Sequence, residues 1–159
     1  MRGDYLFPLL RQEYLPRMTV PSQLWASVLV PIKDERENLE PLLTSLLKVM
    51  DSYETSQSRP YEIVFVDDGS SDGSSEDLDR LAAQHRQVRV FHFDRNRGKT
   101  CALDACFNQS SGELIIQIDG DLQQASEDIL KLLPYTATYA LVCGWRQPRQ
   151  AGPVNKIPA

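Results

Sequence analysis

Residues 113–123 read Glu-Leu-Ile-Ile-Gln-Ile-Asp-Gly-Asp-Leu-Gln, an apolar run that ends in two carboxylates. In a strand the side chains alternate between faces, so Asp119 and Asp121 point the same way. Gly120 between them lets the chain turn at the end of the strand. Mg²⁺ and Mn²⁺ prefer oxygen ligands and are commonly held by one or two carboxylates together with a substrate's phosphates. The stretch therefore predicts a metal-held diphosphate at a strand end.

Similar apolar, β-branched runs recur along the chain and are separated by helical patterns. The predicted strands cover about 26–32, 61–67, 88–93, 113–119 and 138–143. Alternation of strands and helices predicts an α/β fold, a mainly parallel sheet with helices on both faces.

The clearest helical pattern has apolar residues three and four apart from Leu39 to Met50, which predicts one buried helix stripe. Asn38 is its expected cap, and Pro41 is expected in its first turn. Shorter stripes predict helices around 78–82 and 102–107. Ser126 is expected to cap a fourth helix.

Length and composition bound the classes of protein that fit. A chain of 159 residues, 42% hydrophobic and 25% charged, fits one domain. We expect an irregular arm at 1–24 and the domain at 25–159. A net charge of −5 argues against a nucleic-acid binder. No apolar run approaches the length of a membrane helix, and three cysteines without a CxxC pair indicate a cytoplasmic protein.

Polar or glycine-rich segments follow all five predicted strands, at 33–38, 67–73, 94–100, 119–123 and 144–149. Ligands of parallel α/β sheets bind beyond the carboxyl ends of the strands, so this distribution indicates an enzyme. Asp67 and Asp68 are predicted to accept hydrogen bonds from a nucleotide, because adjacent carboxylates repel each other without a partner. The alternative is an Asx turn with a helix cap.

Gly98-Lys99-Thr100 raises the alternative of a phosphate-binding P-loop. That motif requires a glycine five residues before Gly98, where this chain has Phe93. A glycine hinge that brings cations near a diphosphate is the preferred interpretation.

Five motifs follow one another along the chain. They are Val-Pro-Ile-Lys-Asp-Glu-Arg-Glu-Asn-Leu at 30–39, Val-Asp-Asp-Gly-Ser-Ser-Asp at 66–72, Asn-Arg-Gly-Lys at 96–99, Asp-Gly-Asp-Leu-Gln at 119–123, and Gly-Trp-Arg at 144–146 with Arg149. In this order they resemble glycosyltransferase family 2, which has the GT-A fold, and within it the transferases that attach a sugar to dolichol phosphate or undecaprenyl phosphate. In two places the chain departs from the family pattern. Lys33-Asp34 stands where the family often has Tyr-Asn, and Lys99-Thr100 stands where small or aromatic residues are common.

The resemblance implies a metal-dependent, inverting glycosyltransferase, of the hexosyltransferase type, that moves a sugar from a UDP- or GDP-linked donor to a polyprenyl phosphate. It implies work at the cytoplasmic face of a membrane, in the synthesis of envelope glycans or glycolipids. Mg²⁺ or Mn²⁺ would be held by Asp119, Asp121 and Gln123. Asp121 and Arg146 would be catalytic, because cations stabilise the charge on the departing diphosphate. The implied nucleotide-sugar contacts are Pro31, Ile32, Glu35, Asp67, Asp68, Lys99, Asp119 and Arg149.

The resemblance also implies how much of the enzyme this chain contains. Family members continue with an acceptor-binding half, so we expect 25–159 to hold mainly the donor half of a longer protein. The rival hypotheses are a catalytically incomplete nucleotide-sugar-binding module and, further from the motifs, a P-loop-like nucleotide hydrolase. The sugar, the base and the oligomeric state, including a homo-oligomer, stay open.

Overall fold

A computed structural model describes residues 24–57 and 59–144. The predicted arm at 1–24 lies outside this part of the chain except for its last residue, as do Arg146 and Arg149. The strands are β1 (Ala26–Ile32), β2 (Tyr61–Asp67), β3 (Val88–His92) and β4 (Leu114–Gln117). They form one sheet in the order β3-β2-β1-β4, and every pair in it is parallel. The first four predicted strands and the parallel sheet are confirmed.

Helices cover both faces of this sheet, as predicted. They are α1 (Arg36–Gln57), α2 (Ser74–Gln84), α3 (Lys99–Gln109) and α4 (Asp128–Leu132), with a 3₁₀ helix at Leu133–Ala137. On one face α1 and α2 share a core with β1 and β2, and on the other face α3 packs against the same two strands. In the described ranges no helix is both long and apolar enough to cross a membrane.

The core explains why β1 and β2 are buried throughout and mostly apolar. Val28 and Val30 of β1 face α1, whereas Leu29 between them faces α3. A strand covered on both faces has no solvent side, so apolar residues follow one another along it without alternating with polar ones. The predicted stripe of α1 supplies Leu39, Leu42, Leu43, Leu46 and Met50, each at most 1% exposed. Complete burial of each such side chain contributes about 1.5–3 kcal/mol.

Two of the predicted helix starts are wrong. Helix α1 begins at Arg36, so Asn38 is not its cap and instead donates its side-chain amide to Glu35 Oε2 at 2.6 Å. Pro41 lies inside the helix rather than in its first turn. Its missing N–H leaves one helical hydrogen bond unmade, a cost that the buried stripe outweighs. Ser126 does not cap α4 but shares a 2.7 Å hydrogen bond with Ser45 of α1.

The fifth predicted strand, 138–143, is also wrong. The amides of Thr138 and Tyr139 both donate to Tyr135 O at 3.0 Å, so the chain continues the preceding turn instead of extending along the sheet. The side chains of Tyr139 and Leu141 are 60% and 80% exposed. An apolar composition becomes a strand only where a neighbouring strand pairs with it, and in the described ranges this segment has none.

The strand order creates a crevice at one position of the sheet. From β1 the chain adds β2 and then β3 on one side, and β4 then joins β1 on the other side. Where the strand order reverses in this way, the loops after two adjacent strands turn to opposite sides. A crevice is then left between them at the carboxyl ends of those strands. The ends of β1 and β4 are therefore where this fold favours a ligand.

Candidate functional site

A cleft of about 280 Å³ lies at this position. The residues that follow β1, β2 and β4 meet there with the start of α3. Lys33, Asn96, Gly98, Ala102 and Gly120 line the cleft without having been predicted as contacts. The predicted residues that line it are Pro31, Ile32, Glu35, Asp68, Lys99, Asp119 and Asp121.

A second, larger depression of about 930 Å³ runs along α1. Its lining is a mixture of charges, including Arg36, Glu40, Lys48 and Glu127. It is a broad surface groove, and it includes no predicted site residue. The smaller cleft is the candidate site because it lies at the strand ends, where the fold brings loops together.

The loop after β1 is fastened to the loop after β2. Asp34 adopts a left-handed backbone with φ 53°, its amide donates to Ser70 Oγ at 2.9 Å, and its Oδ1 accepts the Ser71 amide at 2.7 Å. Lys33 donates to the Asp34 carboxylate at 2.6 Å and to Gly69 O at 3.2 Å. The hydrogen bond from Lys33, followed by that from Ser71, lowers the pKa of Asp34. The Lys33-Asp34 departure from the family pattern thus forms a latch between two loops.

The same contact continues into the first turns of α1 and α2. The amide of Glu35 donates to Ser74 Oγ at 3.1 Å, and the amide of Arg36 donates to Asp72 Oδ2 at 3.0 Å. The Arg36 side chain pairs with Asp77 at 2.8 Å. These bonds satisfy amides at the start of α1 that lack helical partners, and they fix Glu35 at the cleft.

Asp68 connects the first two loops to the third. Its amide donates to Ile32 O at 2.8 Å, and its carboxylate, in a residue only 3% exposed, accepts the amides of Arg97 at 2.6 Å and Gly98 at 2.9 Å. A P-loop would offer such amides to phosphate, whereas here a carboxylate occupies them. Asp68 therefore holds the predicted glycine hinge in place, which argues against the P-loop alternative.

Asp67 is buried beneath the cleft and is not part of its lining. Its carboxylate accepts hydrogen bonds from the Ser70 amide at 2.9 Å, from the Ser75 hydroxyl, and from His92 Nδ1 at 2.9 Å. Burial by itself would raise the pKa of Asp67, but the hydrogen bonds from His92, Ser70 and Ser75 outweigh it and hold the pKa well below its ordinary value. This geometry favours a structural role rather than the predicted nucleotide contact.

Sequence reasoning missed His92, which lies between two carboxylates. Its Nδ1 faces Asp67 and its Nε2 lies 3.1 Å from Asp79 Oδ1. The hydrogen bond to Asp67 is the main cause that raises the pKa of His92 above 6.5, against the opposing effect of burial. A signal existed in the strand register, which pairs Asp67 with His92 across β2 and β3.

Asp119 and Asp121 line the cleft with few protein partners. Asp119 Oδ1 accepts Lys99 Nζ at 2.7 Å, and the Asp119 amide donates to Gln124 Oε1 at 3.1 Å. Asp121 Oδ1 accepts the amide of Gln123 at 3.0 Å. The side chain of Gln123, a predicted metal ligand, is exposed and is not in the cleft lining.

Gly120, between the two carboxylates, packs against the end of β1. Its φ is not in the left-handed region, and that conformation belongs to Leu122, with φ 57°. A Cβ at Gly120 would lie 2.5 Å from Ile32 Cδ1, closer than carbon atoms approach without a shift. A larger residue here would therefore require the end of the Ile32 side chain to move.

The chemistry of this turn fits a divalent cation that arrives with its substrate. Among the residues that the structure describes, no group of three or more His, Cys, Asp or Glu side chains forms a metal site. Two carboxylates in one cleft are nevertheless the usual protein share of a Mg²⁺ or Mn²⁺ site, in which phosphates and water supply the other ligands. Asp119 and Asp121 fit that arrangement.

The fold is that of the GT-A glycosyltransferases. A mannosyltransferase from Pyrobaculum calidifontis, solved in complex with GDP-Man and Mn²⁺, superposes with a TM-score of 0.53 at 28% identity, covering 69% of this chain and 31% of that one. The sequence model of Glycosyl transferase family 2 matches residues 27–159, and the chain belongs to this family.

Relatives in the family include enzymes named for sugar transfer to lipid phosphates. An undecaprenyl-phosphate 4-deoxy-4-formamido-L-arabinose transferase from Edwardsiella ictaluri is 40% identical over 129 residues, which are 79% of this chain and 38% of that protein. A dolichol-phosphate mannosyltransferase from Saccharomyces cerevisiae is 35% identical over 120 residues, which are 76% of this chain and 44% of that protein. The chain thus spans less than half the length of these relatives.

Proposed function

We propose that this chain binds the nucleoside diphosphate of a nucleotide-sugar together with Mg²⁺ or Mn²⁺, and that it supplies the donor half of an inverting glycosyltransferase whose acceptor is a polyprenyl phosphate. The observation that carries the proposal is the cleft where β1 and β4 end, since it combines the carboxylates of Asp119 and Asp121 with Lys99 and with the glycine hinge that Asp68 holds. The relatives named for undecaprenyl-phosphate and dolichol-phosphate transfer support the acceptor class, and the solved neighbour with GDP-Man and Mn²⁺ supports the donor and the metal.

The proposed roles follow from where each side chain lies. Pro31, Ile32 and Glu35 form the β1 side of the cleft and would contact the base and ribose. Asp68 would act chiefly by holding the hinge, because both of its oxygens already accept backbone amides. Asp67 would support that arrangement from below.

At the other side of the cleft, Lys99 would contact the diphosphate, and Asp119 and Asp121 would hold the cation. A bound divalent cation would neutralise the charge that grows on the departing nucleoside diphosphate. Gln123 as a third metal ligand, with Arg146 and Arg149 as phosphate contacts, stays a prediction from the family motif.

The class of acceptor determines whether the reaction needs a general base. A hydroxyl acceptor requires a general base to remove its proton. A phosphate acceptor is already anionic, so direct displacement of the diphosphate, which inverts the anomeric carbon, requires no such base.

The decisive experiment is titration calorimetry with UDP and with GDP, each with and without Mn²⁺. The wild-type chain should bind one of them in a Mn²⁺-dependent manner, and Asp121→Asn should weaken that binding at least about tenfold, which is about 1.4 kcal/mol. Asp104→Asn is the matched control, because Asp104 is an exposed aspartate on α3 that lies outside the cleft lining and accepts a hydrogen bond from Asn108. Unchanged metal dependence in Asp121→Asn would contradict the metal site.

A catalytically incomplete binding module is the second candidate. It is worth a direct test because the chain covers only 38% and 44% of the two relatives described above. Polyprenyl phosphate and the nucleotide-sugar that binds best are supplied with Mn²⁺, and release of nucleoside diphosphate is followed. Binding without release supports the module. Metal-dependent release at many turnovers per chain supports the complete transferase reaction.

A further inference from the structure

Lys99 pairs with one of the two carboxylates proposed to bind the cation. Its Nζ lies 2.7 Å from Asp119 Oδ1, and its side chain is 63% exposed whereas that of Asp119 is 23% exposed. An ammonium and a divalent cation are both attracted to the same carboxylate and repel each other. Lys99 and a metal ion therefore compete for Asp119.

Lys33, the other lysine that lines the cleft, is fixed by comparison. Its Nζ has two acceptors, the carboxylate of Asp34 and the carbonyl of Gly69, and its side chain is 33% exposed. Within the described ranges the ammonium of Lys99 has one hydrogen-bond acceptor, the carboxylate of Asp119. Lys99 is therefore the cleft lysine that can change partner at little cost.

The backbone beneath Lys99 is held while its side chain is free to move. Lys99 is the first residue of α3, and Asp68 fixes the amides of the two residues before it. A lysine side chain is a flexible four-carbon stem that ends in a compact charge. From this fixed origin the ammonium can turn from Asp119 towards an anion in the same cleft.

We infer that Lys99 is an exchangeable counterion of the proposed metal site. It neutralises Asp119 while the cleft holds no donor, and it turns to the diphosphate when cation and nucleotide enter together. This inference rests on the proposed function. Its consequence is that the cation and the nucleotide bind cooperatively. Lys99 repels a cation that binds alone, but it stabilises a nucleotide that binds together with the cation. Each ligand therefore raises the affinity for the other by the same factor.

The test is the affinity for Mn²⁺ alone, measured by electron paramagnetic resonance and calorimetry on the 159-residue chain. Lys99→Met should bind Mn²⁺ alone about tenfold more tightly than wild type, because a unit charge about 4 Å from a divalent ion is removed. The same variant should bind UDP or GDP about tenfold more weakly at saturating Mn²⁺. Lys99→Arg keeps the charge and should resemble wild type.

Lys131→Met is the control, since Lys131 forms a lysine–aspartate pair with Asp128 at 2.6 Å that is more exposed and lies outside the cleft lining. It should leave both affinities unchanged. The counterion role is overturned if Lys99→Met binds Mn²⁺ alone no more tightly than wild type does. The same holds if neither chain binds Mn²⁺ alone detectably. If metal-dependent UDP or GDP binding by wild type persists in that case, the proposed function stands. If wild type binds neither nucleotide, both proposals fail.

Discussion

Two pairs of aspartates follow strands of the same sheet, and the protein treats them in opposite ways. Asp67 and Asp68 are at most 3% exposed, and together they accept hydrogen bonds from three backbone amides, one hydroxyl and one imidazole. Asp119 and Asp121 are partly exposed and accept one lysine and one amide. The first pair is satisfied by the protein, while the second pair lines the cleft and is proposed to bind a cation.

This difference separates residues that build a site from residues that bind at it. A buried carboxylate with several internal donors contributes to the free energy of folding. A carboxylate with few donors contributes little to folding and keeps its capacity to bind a cation. Both kinds of aspartate look alike in the sequence, and stability measurements distinguish them.

The largest effect is expected from Asp67→Ala. Removal of its carboxylate leaves a buried amide, a hydroxyl and the His92 ring without their acceptor, so the free energy of unfolding should fall by about 3–5 kcal/mol. Urea denaturation followed by circular dichroism measures this change. Asp121→Asn is the comparison and should change stability by less than about 0.5 kcal/mol. Similar losses in both variants would break the distinction between the two pairs.

An intermediate effect is expected from Asp68→Asn, which keeps the shape but replaces one acceptor oxygen with a donor that faces an amide. Loss of one of its two bonds to the Arg97 and Gly98 amides should cost about 1–3 kcal/mol. Because the hinge loosens, nucleotide binding should also weaken, although the substituted side chain has the same shape and still lines the cleft. Hydrogen exchange at these two amides reports the effect directly, and unchanged protection there would show that Asp68 does not hold the hinge.

The smallest effect is a dependence of stability on pH. The pKa of His92 is raised in the folded state by Asp67, with Asp79 on its other nitrogen. Its contribution is therefore complete below the ordinary pKa of 6.5 and is lost as the pH rises through the higher folded value. The free energy of unfolding should fall over that range in wild type, and His92→Gln should remove the fall.

His85→Gln, at the end of α2, is the control for this measurement and should keep the wild-type slope. The opposite slope belongs to Asp67, whose lowered pKa adds stability that is present above its ordinary value of 3.8 and is lost as the pH drops below it. That acidic slope should persist in His92→Gln in reduced form. If His92→Gln keeps the slope above pH 6.5, another group is responsible.

The sequence predicted the elements better than the roles of individual carboxylates. The apolar spacing from Leu39 to Met50 determines one face of a helix, so α1 could be recognised without its neighbours. The segment 138–143 has an equally apolar composition, but its fate depends on a pairing partner that composition does not reveal.

In the candidate site, too, some features could be predicted from the local sequence and others depend on distant residues. Strand ends and family motifs were enough to predict that Asp68, Lys99 and Asp119 meet in one cleft. They could not show that the oxygens of Asp67 turn away from it, because this depends on His92, which comes 25 residues later. The latch of Lys33 and Asp34 was likewise visible only as a departure from the family pattern, since its acceptors lie on another loop.

The three loops at the cleft restrict where the chain could tolerate added residues. Surface loops usually accept insertions, but the loops at this cleft are tied to one another. The loop after β1 is bonded to Ser71, and Asp68 holds Gly98. The loop after β2 also approaches Arg95 so closely that a Cβ on Gly69 would lie 2.5 Å from the Arg95 backbone. A lengthened loop would pull two others out of place. An epitope tag or fluorescent reporter is therefore better inserted in the exposed turn at Arg86. This turn precedes β3 and lies at the amino ends of the strands, away from the cleft.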